Sequence, residues 1–187
     1  MTYILIFISA VFVHNIILSQ FLGICSVLGV SKKIETSVGM TGAVAFVLTI
    51  TTIITYIVQK TVLVPFHLEF LRTITFILII ALLVQLMDGI LKKVSPSLYQ
   101  VLGIYLPLIT TNCVILGVAL LVVKNNFNLV ESVVFAISTS IGFGLVLIIF
   151  AGIREQLNLV KLPENMEGAP AALIAAGLLA MAFMGFA

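Results

Sequence analysis

Six apolar runs dominate this chain, at residues 2–24, 37–58, 71–91, 98–123, 130–152 and 170–186, each nearly free of charge and of helical length. About 20 residues at a rise of about 1.5 Å cross the roughly 30 Å of hydrocarbon in a bilayer, so each run is a spanning candidate. A chain that is 62% hydrophobic and 9% charged has too little polar surface to cover itself in water. The expected fold is all-α and integral to a membrane: a single membrane domain over residues 1–187 with six transmembrane helices joined by short loops. No basic segment precedes the first run and no small-residue cleavage site follows it, so Thr2 to Ile24 is expected to be a retained span rather than a removed signal peptide.

The few basic residues set the expected orientation, because loops rich in Lys and Arg stay on the cytoplasmic side. With both termini outside, Lys32, Lys33, Lys92, Lys93, Arg154 and Lys161 fall inside and Lys60, Arg72 and Lys124 outside, six against three. A net charge of +2 gives no footprint for nucleic acid. The longest loop, Arg154 to Ala169, is a charged turn with Pro163 and Gly168, too short to fold around a nucleotide or a flavin. Gly142-Phe143-Gly144 lies inside the fifth run, where it predicts close helix packing rather than a dinucleotide turn.

The chain has two cysteines, and each opens a similar hexapeptide: Cys25-Ser26-Val27-Leu28-Gly29-Val30 and Cys113-Val114-Ile115-Leu116-Gly117-Val118. Chance identity at the shared Leu, Gly and Val is roughly one in a thousand, which favours an internal duplication. Repeat one covers about residues 1–94 and repeat two about 95–187. Three spans per repeat is odd, so the second repeat enters from the opposite side and the two are related by an inverted pseudo-two-fold.

Straight helices would leave the two thiols near opposite surfaces. Both cysteines, however, sit in charge-free stretches longer than a span needs, flanked by Gly23 and Gly29 in one case and by Pro107 and Gly117 in the other. Helices one and four are therefore expected to be broken near the midplane, where interrupted helices of inverted repeats build sites. Three chemistries fit a duplicated thiol there: core packing, a redox disulfide, or half of a [2Fe-2S] centre, which takes four cysteine ligands and would need two more from another chain. Helix N-terminal dipoles and free backbone N–H groups beside Gly23, Gly29 and Gly117 would offset the charge of such a centre.

Phe21-Leu22-Gly23-Ile24-Cys25, Gly29-Val30-Ser31-Lys32-Lys33 and the stretch from Leu102 through Pro107 and Thr110-Thr111-Asn112 to Cys113 resemble the A subunits of the Rnf complex. These are membrane subunits of an ion-translocating ferredoxin:NAD oxidoreductase, related to subunits of the sodium-pumping NADH:quinone oxidoreductase. Ala151-Gly152-Ile153-Arg154-Glu155 and Ala182-Phe183-Met184-Gly185-Phe186 extend the resemblance over essentially the whole chain. The resemblance implies an electron-transfer subunit of the bacterial cytoplasmic (inner) membrane. It pairs with a paralogous E-type subunit of opposite topology and works beside other Rnf subunits that carry flavin and soluble iron-sulfur centres. One [2Fe-2S] cluster would be shared by the pair, with Cys25 and Cys113 as the two ligands from this chain.

Three further residues stand out. His14-Asn15 departs from the paired asparagines expected in the family, and a lone mid-span histidine commonly bonds a neighbouring helix. Asp88 is acidic within a span, at a position where the family usually has an acidic residue. It reads either as an i,i+4 partner of Lys92 or as part of a cation path. Asn112 either caps a half-helix or donates to a cluster sulfur. The rival reading from another class is an inverted-repeat secondary transporter with incidental cysteines, and a purely structural anchor is a third.

Overall fold

The first apolar run is not one helix. A computed structural model describes residues 2–31, 34–63, 69–94, 108–109, 111–159 and 168–185, and all of its regular elements are helical. Helix α1 (Thr2–Ile8) passes into a π-helical turn, Ser9–Val13, closed by the His14 N–H donating to Ser9 O at 2.7 Å. Helix α2 (Ile16–Gln20) then ends in a left-handed Phe21, φ 55°, and a left-handed Gly23, φ 87°, before α3 (Ile24–Val30) begins. Three changes of backbone course within one apolar run need protein around them, since lipid offers no partner for freed N–H and C=O groups.

The second run is continuous. Helix α4 (Ile34–Val58) extends through a π-helical segment, Gln59–Leu63. Four of its hydroxyls are satisfied locally, Thr41, Thr49, Thr52 and Thr55 each donating to the carbonyl four residues back at 2.7–2.8 Å, while Thr51 Oγ1 is buried without a partner. After a short 3-10 turn, Glu69–Leu71, helix α5 covers Arg72–Val94. Helix α6 (Cys113–Lys124) is the described part of the fourth run, and Pro107 lies outside the described residues. Helix α7 (Leu129–Leu159) continues past Arg154, and α8 (Ala169–Met184) closes the fold with Pro170 in its first turn. Lys32, Lys33, Lys161 and Pro163 also lie outside the described residues.

Among the described residues two helices are long and apolar enough to cross a membrane, Thr36–Leu63 with 28 residues and Leu129–Leu157 with 29. Helix α5 shows what surrounds them. It packs on α6 and buries Phe76, Ile80 and Val84, yet exposes Ile74, Leu78 and Leu82 on the opposite side. A helix apolar all round suits hydrocarbon and would be a liability in water.

The chain divides into two compact units, Met1–Gly42 with Ser138–Ala187, and Ala43–Ile137. In the first, α8 packs on α2 and on the π-turn before it. Glycines of α7 make the close approaches there: a Cβ at Gly142 would lie 3.0 Å from Asn15 Nδ2 and 3.2 Å from Val11 Cα, and one at Gly144 would collide with Thr41 Cγ2. The packing role read for Gly142-Phe143-Gly144 is what these contacts show. In the second unit α5 packs on α6, whose Val114, Ile115, Val118, Ala119 and Val122 are buried.

Candidate functional site

Both cysteines stand in the first turn of a helix. Cys25 is the second residue of α3 and Cys113 the first of α6, and neither is in a disulfide. The duplicated hexapeptides also adopt one register. The residues one, two and five places after the cysteine are buried in both helices: Ser26, Val27 and Val30 in α3, and Val114, Ile115 and Val118 in α6. The leucines three places on are half-buried in both. Each cysteine shares its more open face with the glycine four places on, Cys25 and Gly29 being exposed and Cys113 and Gly117 half-buried. Gly29 and Gly117 are therefore not breaks, as their positions suggest, but helical residues that leave a notch one turn beyond each thiol. Lacking a Cβ permits a break without forcing one.

The two helices enter and leave differently. Helix α3 is entered through Gly23, whose φ of 87° is one that L side chains rarely adopt, and no side chain caps it. Its C-terminal end is held from a distance: Arg154 Nη1 donates to Leu28 O at 2.8 Å and to Ser31 Oγ at 3.4 Å. Ser31 Oγ in turn donates to Val27 O. A guanidinium on the orphan carbonyls of a last turn is favourable by hydrogen bonding and by the helix dipole. The segment before α3 is tied down by Asn15. Its Oδ1 caps α2 by accepting from Ile17 N at 3.2 Å, and its Nδ2 donates to Val11 O and Gly142 O, both at 3.0 Å.

Helix α6 carries its supports locally. Asn112 is the N-cap, its Oδ1 accepting from Val114 N at 3.1 Å. At the other end Asn126 is left-handed, φ 51°, while Asn126 N donates to Val123 O and Phe127 N to Val122 O, both at 3.2 Å, a Schellman closure with asparagine in the usual glycine place. The next helix starts with one half of a capping box, Asn128 N donating to Glu131 Oε2 at 3.0 Å. Asn112 thus resolves as a cap through its oxygen, and its Nδ2 is buried without a partner. Ser26 Oγ, beside the other cysteine, is also buried and unpartnered.

The remaining sequence-predicted residues lie elsewhere. Asp88 is half-buried on α5, and the side chain of Lys92 lies outside the described ones. His14 is exposed, its backbone closing the π-turn. Among the described residues no three His, Cys, Asp or Glu side chains gather into a metal site. Asn15 and Arg154 are structural anchors that the sequence does not single out. The signal for Asn15 is a capping residue directly after a histidine in an apolar run, and for Arg154 a cation within helical reach of the fifth run.

The family model described as Rnf-Nqr subunit, membrane protein, matches residues 3–187. The chain belongs to that family. It is 56% identical over 186 residues to the A subunit of the Na(+)-translocating ferredoxin:NAD(+) oxidoreductase complex of Acetobacterium woodii, covering 100% of this chain and 97% of that one. It is 53% identical to the A subunit of the ion-translocating oxidoreductase complex of Syntrophotalea carbinolica, covering 98% and 95%, and 50% identical to that of Vibrio vulnificus, covering 98% and 96%. Each of these relatives is named as an A subunit of a larger redox complex. With an all-helical fold and lipid-suited surfaces, family membership makes this chain a membrane protein.

Proposed function

We propose that this chain is the A-type membrane subunit of a redox-driven, cation-translocating ferredoxin:NAD oxidoreductase. In it Cys25 and Cys113 supply two of the four ligands of an intramembrane [2Fe-2S] cluster, and a paralogous E-type subunit of opposite topology supplies the other two. The observation that carries the reading is the shared burial pattern of α3 and α6, which gives two cysteines far apart in sequence a place in the first turn of a helix, the same buried flank and the same glycine four places on.

The donor set fits such a group. Thiols are the ligands iron-sulfur clusters take, and a chain with two cysteines is short by two, so completion by a second chain follows from ligand number. The cluster would supply one-electron storage within the membrane. The chain's own residues do the rest: the buried flanks fix the helices, the glycines at 29 and 117 keep side chains away from the thiols, and the Nδ2 of Asn112 is a donor with no other partner. Six spans in two inverted repeats, with the termini outside and helices one and four broken, are the topology that goes with this reading. Asp88 is the acidic group assigned to the cation path. One charge crossing the membrane is worth about 2.3 kcal/mol per 100 mV, so an electron moved part of the way across can drive an ion.

The test is electron paramagnetic resonance of the dithionite-reduced complex, prepared anaerobically with wild-type chain, Cys25→Ser or Cys113→Ser. A [2Fe-2S] signal lost in both variants together with ferredoxin:NAD activity is the expected result. Serine variants that keep the full signal and activity would sink the assignment and leave the transporter reading to be tried by substrate uptake.

A further inference from the structure

Helix α3 has Cys25 in its first turn and a fixed cation on its last. Arg154, half-buried on α7, donates from Nη1 to Leu28 O at 2.8 Å and to Ser31 Oγ at 3.4 Å. Ser31 is buried and donates in turn to Val27 O. All of these residues belong to one compact unit, Met1–Gly42 with Ser138–Ala187. Leu28 is three residues past Cys25, a rise of about 4.5 Å along the helix axis. The guanidinium is therefore held about one turn from the cysteine. Among the described residues it has no carboxylate partner, and the adjacent Glu155 is exposed.

The two hydrogen bonds account for the donor at this position and leave its charge unexplained. A carbonyl and a hydroxyl offer only partial negative charge, whereas ionisable groups inside membrane segments pair with a full charge or serve a function. The cluster proposed at Cys25 is a group whose charge changes. Its reduction adds one electron, and so one unit of negative charge, with no bond made or broken and no proton moved. A fixed positive charge close by, away from bulk water, stabilises the more negative state, and net charge is one of the settings of an iron-sulfur potential. Arginine suits the place better than lysine, because its fork can hold a carbonyl and a hydroxyl together and it keeps its proton.

We propose that Arg154 is a positioning residue of the electron relay, holding the Cys25 helix by its last turn and raising the midpoint potential of the cluster with its charge. The inference rests on the cluster reading above and extends it to α7, a helix that contains no cysteine.

The test uses the intact complex, poised at a series of potentials with dithionite as the electron donor, and follows the [2Fe-2S] signal by electron paramagnetic resonance. Arg154→Gln loses the charge, and its reduction equilibrium is expected to be at least tenfold less favourable than in wild type, about 59 mV for a one-electron couple. Arg154→Lys keeps the charge and should stay within about threefold of wild type. Lys124→Gln removes an equal charge eleven residues, about 16 Å, along α6 from Cys113, and should also stay within about threefold. Hydrogen exchange of the amides of residues 24–31 reads the holding role without reference to the cluster, and should quicken at least threefold in Arg154→Gln. An unmoved potential in Arg154→Gln, or an equal shift in Arg154→Lys or Lys124→Gln, overturns the role of the charge, and unchanged exchange overturns the holding role. Should Arg154→Gln fail to assemble, Ser31→Asp sets a carboxylate beside the guanidinium and cancels its charge in place; the same tenfold loss is expected, and an unmoved potential overturns the inference. A wild-type complex with no [2Fe-2S] signal would take down the cluster reading and this inference with it, whereas a wild-type signal with an unmoved potential in the variants overturns this inference alone.

Discussion

Helices α3 and α6 carry the same hexapeptide pattern in the same register and are held in place by opposite means. Helix α6 is capped at both ends by its immediate neighbours, Asn112 before it and Asn126 after it. Helix α3 is entered through a left-handed glycine with no side-chain cap, and its exit is held by Arg154, in a helix from the other half of the chain. The two hexapeptides agree in which flank is buried and differ in how the helix ends are supported. A locally capped helix keeps its geometry by itself, whereas a helix anchored from afar keeps it only when the rest of its unit is folded.

The sharpest way to break this comparison is Arg154→Met. Removing charge-assisted hydrogen bonds from the end of α3 is expected to cost about 1.5–3 kcal/mol. It should abolish a signal that needs Cys25 while leaving Cys113 as reactive to maleimide as in wild type. Equal disturbance of the two thiols would show that the anchoring is not selective. Next comes Gly144→Ala, which forces a methyl into Thr41 Cγ2 and should lower stability by about 1–3 kcal/mol in thermal unfolding. Thr41→Ser, which removes that methyl and keeps the hydroxyl, is expected to restore most of the loss. Gly23→Ala tests the glycine entrance of α3, where the left-handed backbone should cost about 1–2 kcal/mol, read as a lower midpoint in denaturant. The smallest effect belongs to the local cap. Asn112→Ala should lose about 1 kcal/mol and Asn112→Ser, a neutral cap, nearly none. With a cluster bound, both would still shift its midpoint potential, because both remove Nδ2.

The apolar runs make most of the fold legible. Runs two, three, five and six match α4, α5, α7 and α8 to within a few residues at most ends, because uninterrupted hydrophobicity and helical length go together in lipid. The end of α7 is the largest miss. Arg154 reads as loop because of its charge, yet its side chain is used inside the protein on α3, so the charge marks an anchor and not an exit. The interruption at Gly23 is readable from glycine beside a cysteine, while Phe21 is not, since nothing in a phenylalanine announces φ 55°. The cysteine pattern is legible as a repeat, and the equal burial of its flanks requires coordinates.

Gly142 and Gly144 are two residues apart on α7 and so face about 200° apart around its axis. One lies against Ala10, Val11 and Asn15, the other against Thr41. At this level α7 is bare backbone on both sides, and it works as a shim of fixed thickness between the N-terminal segment and α4. A side chain on either face would thicken the shim and push the interrupted segment that leads to Cys25 outward by the width of a methyl or more. Where the first thiol stands is thus gauged by two glycines in the far half of the chain.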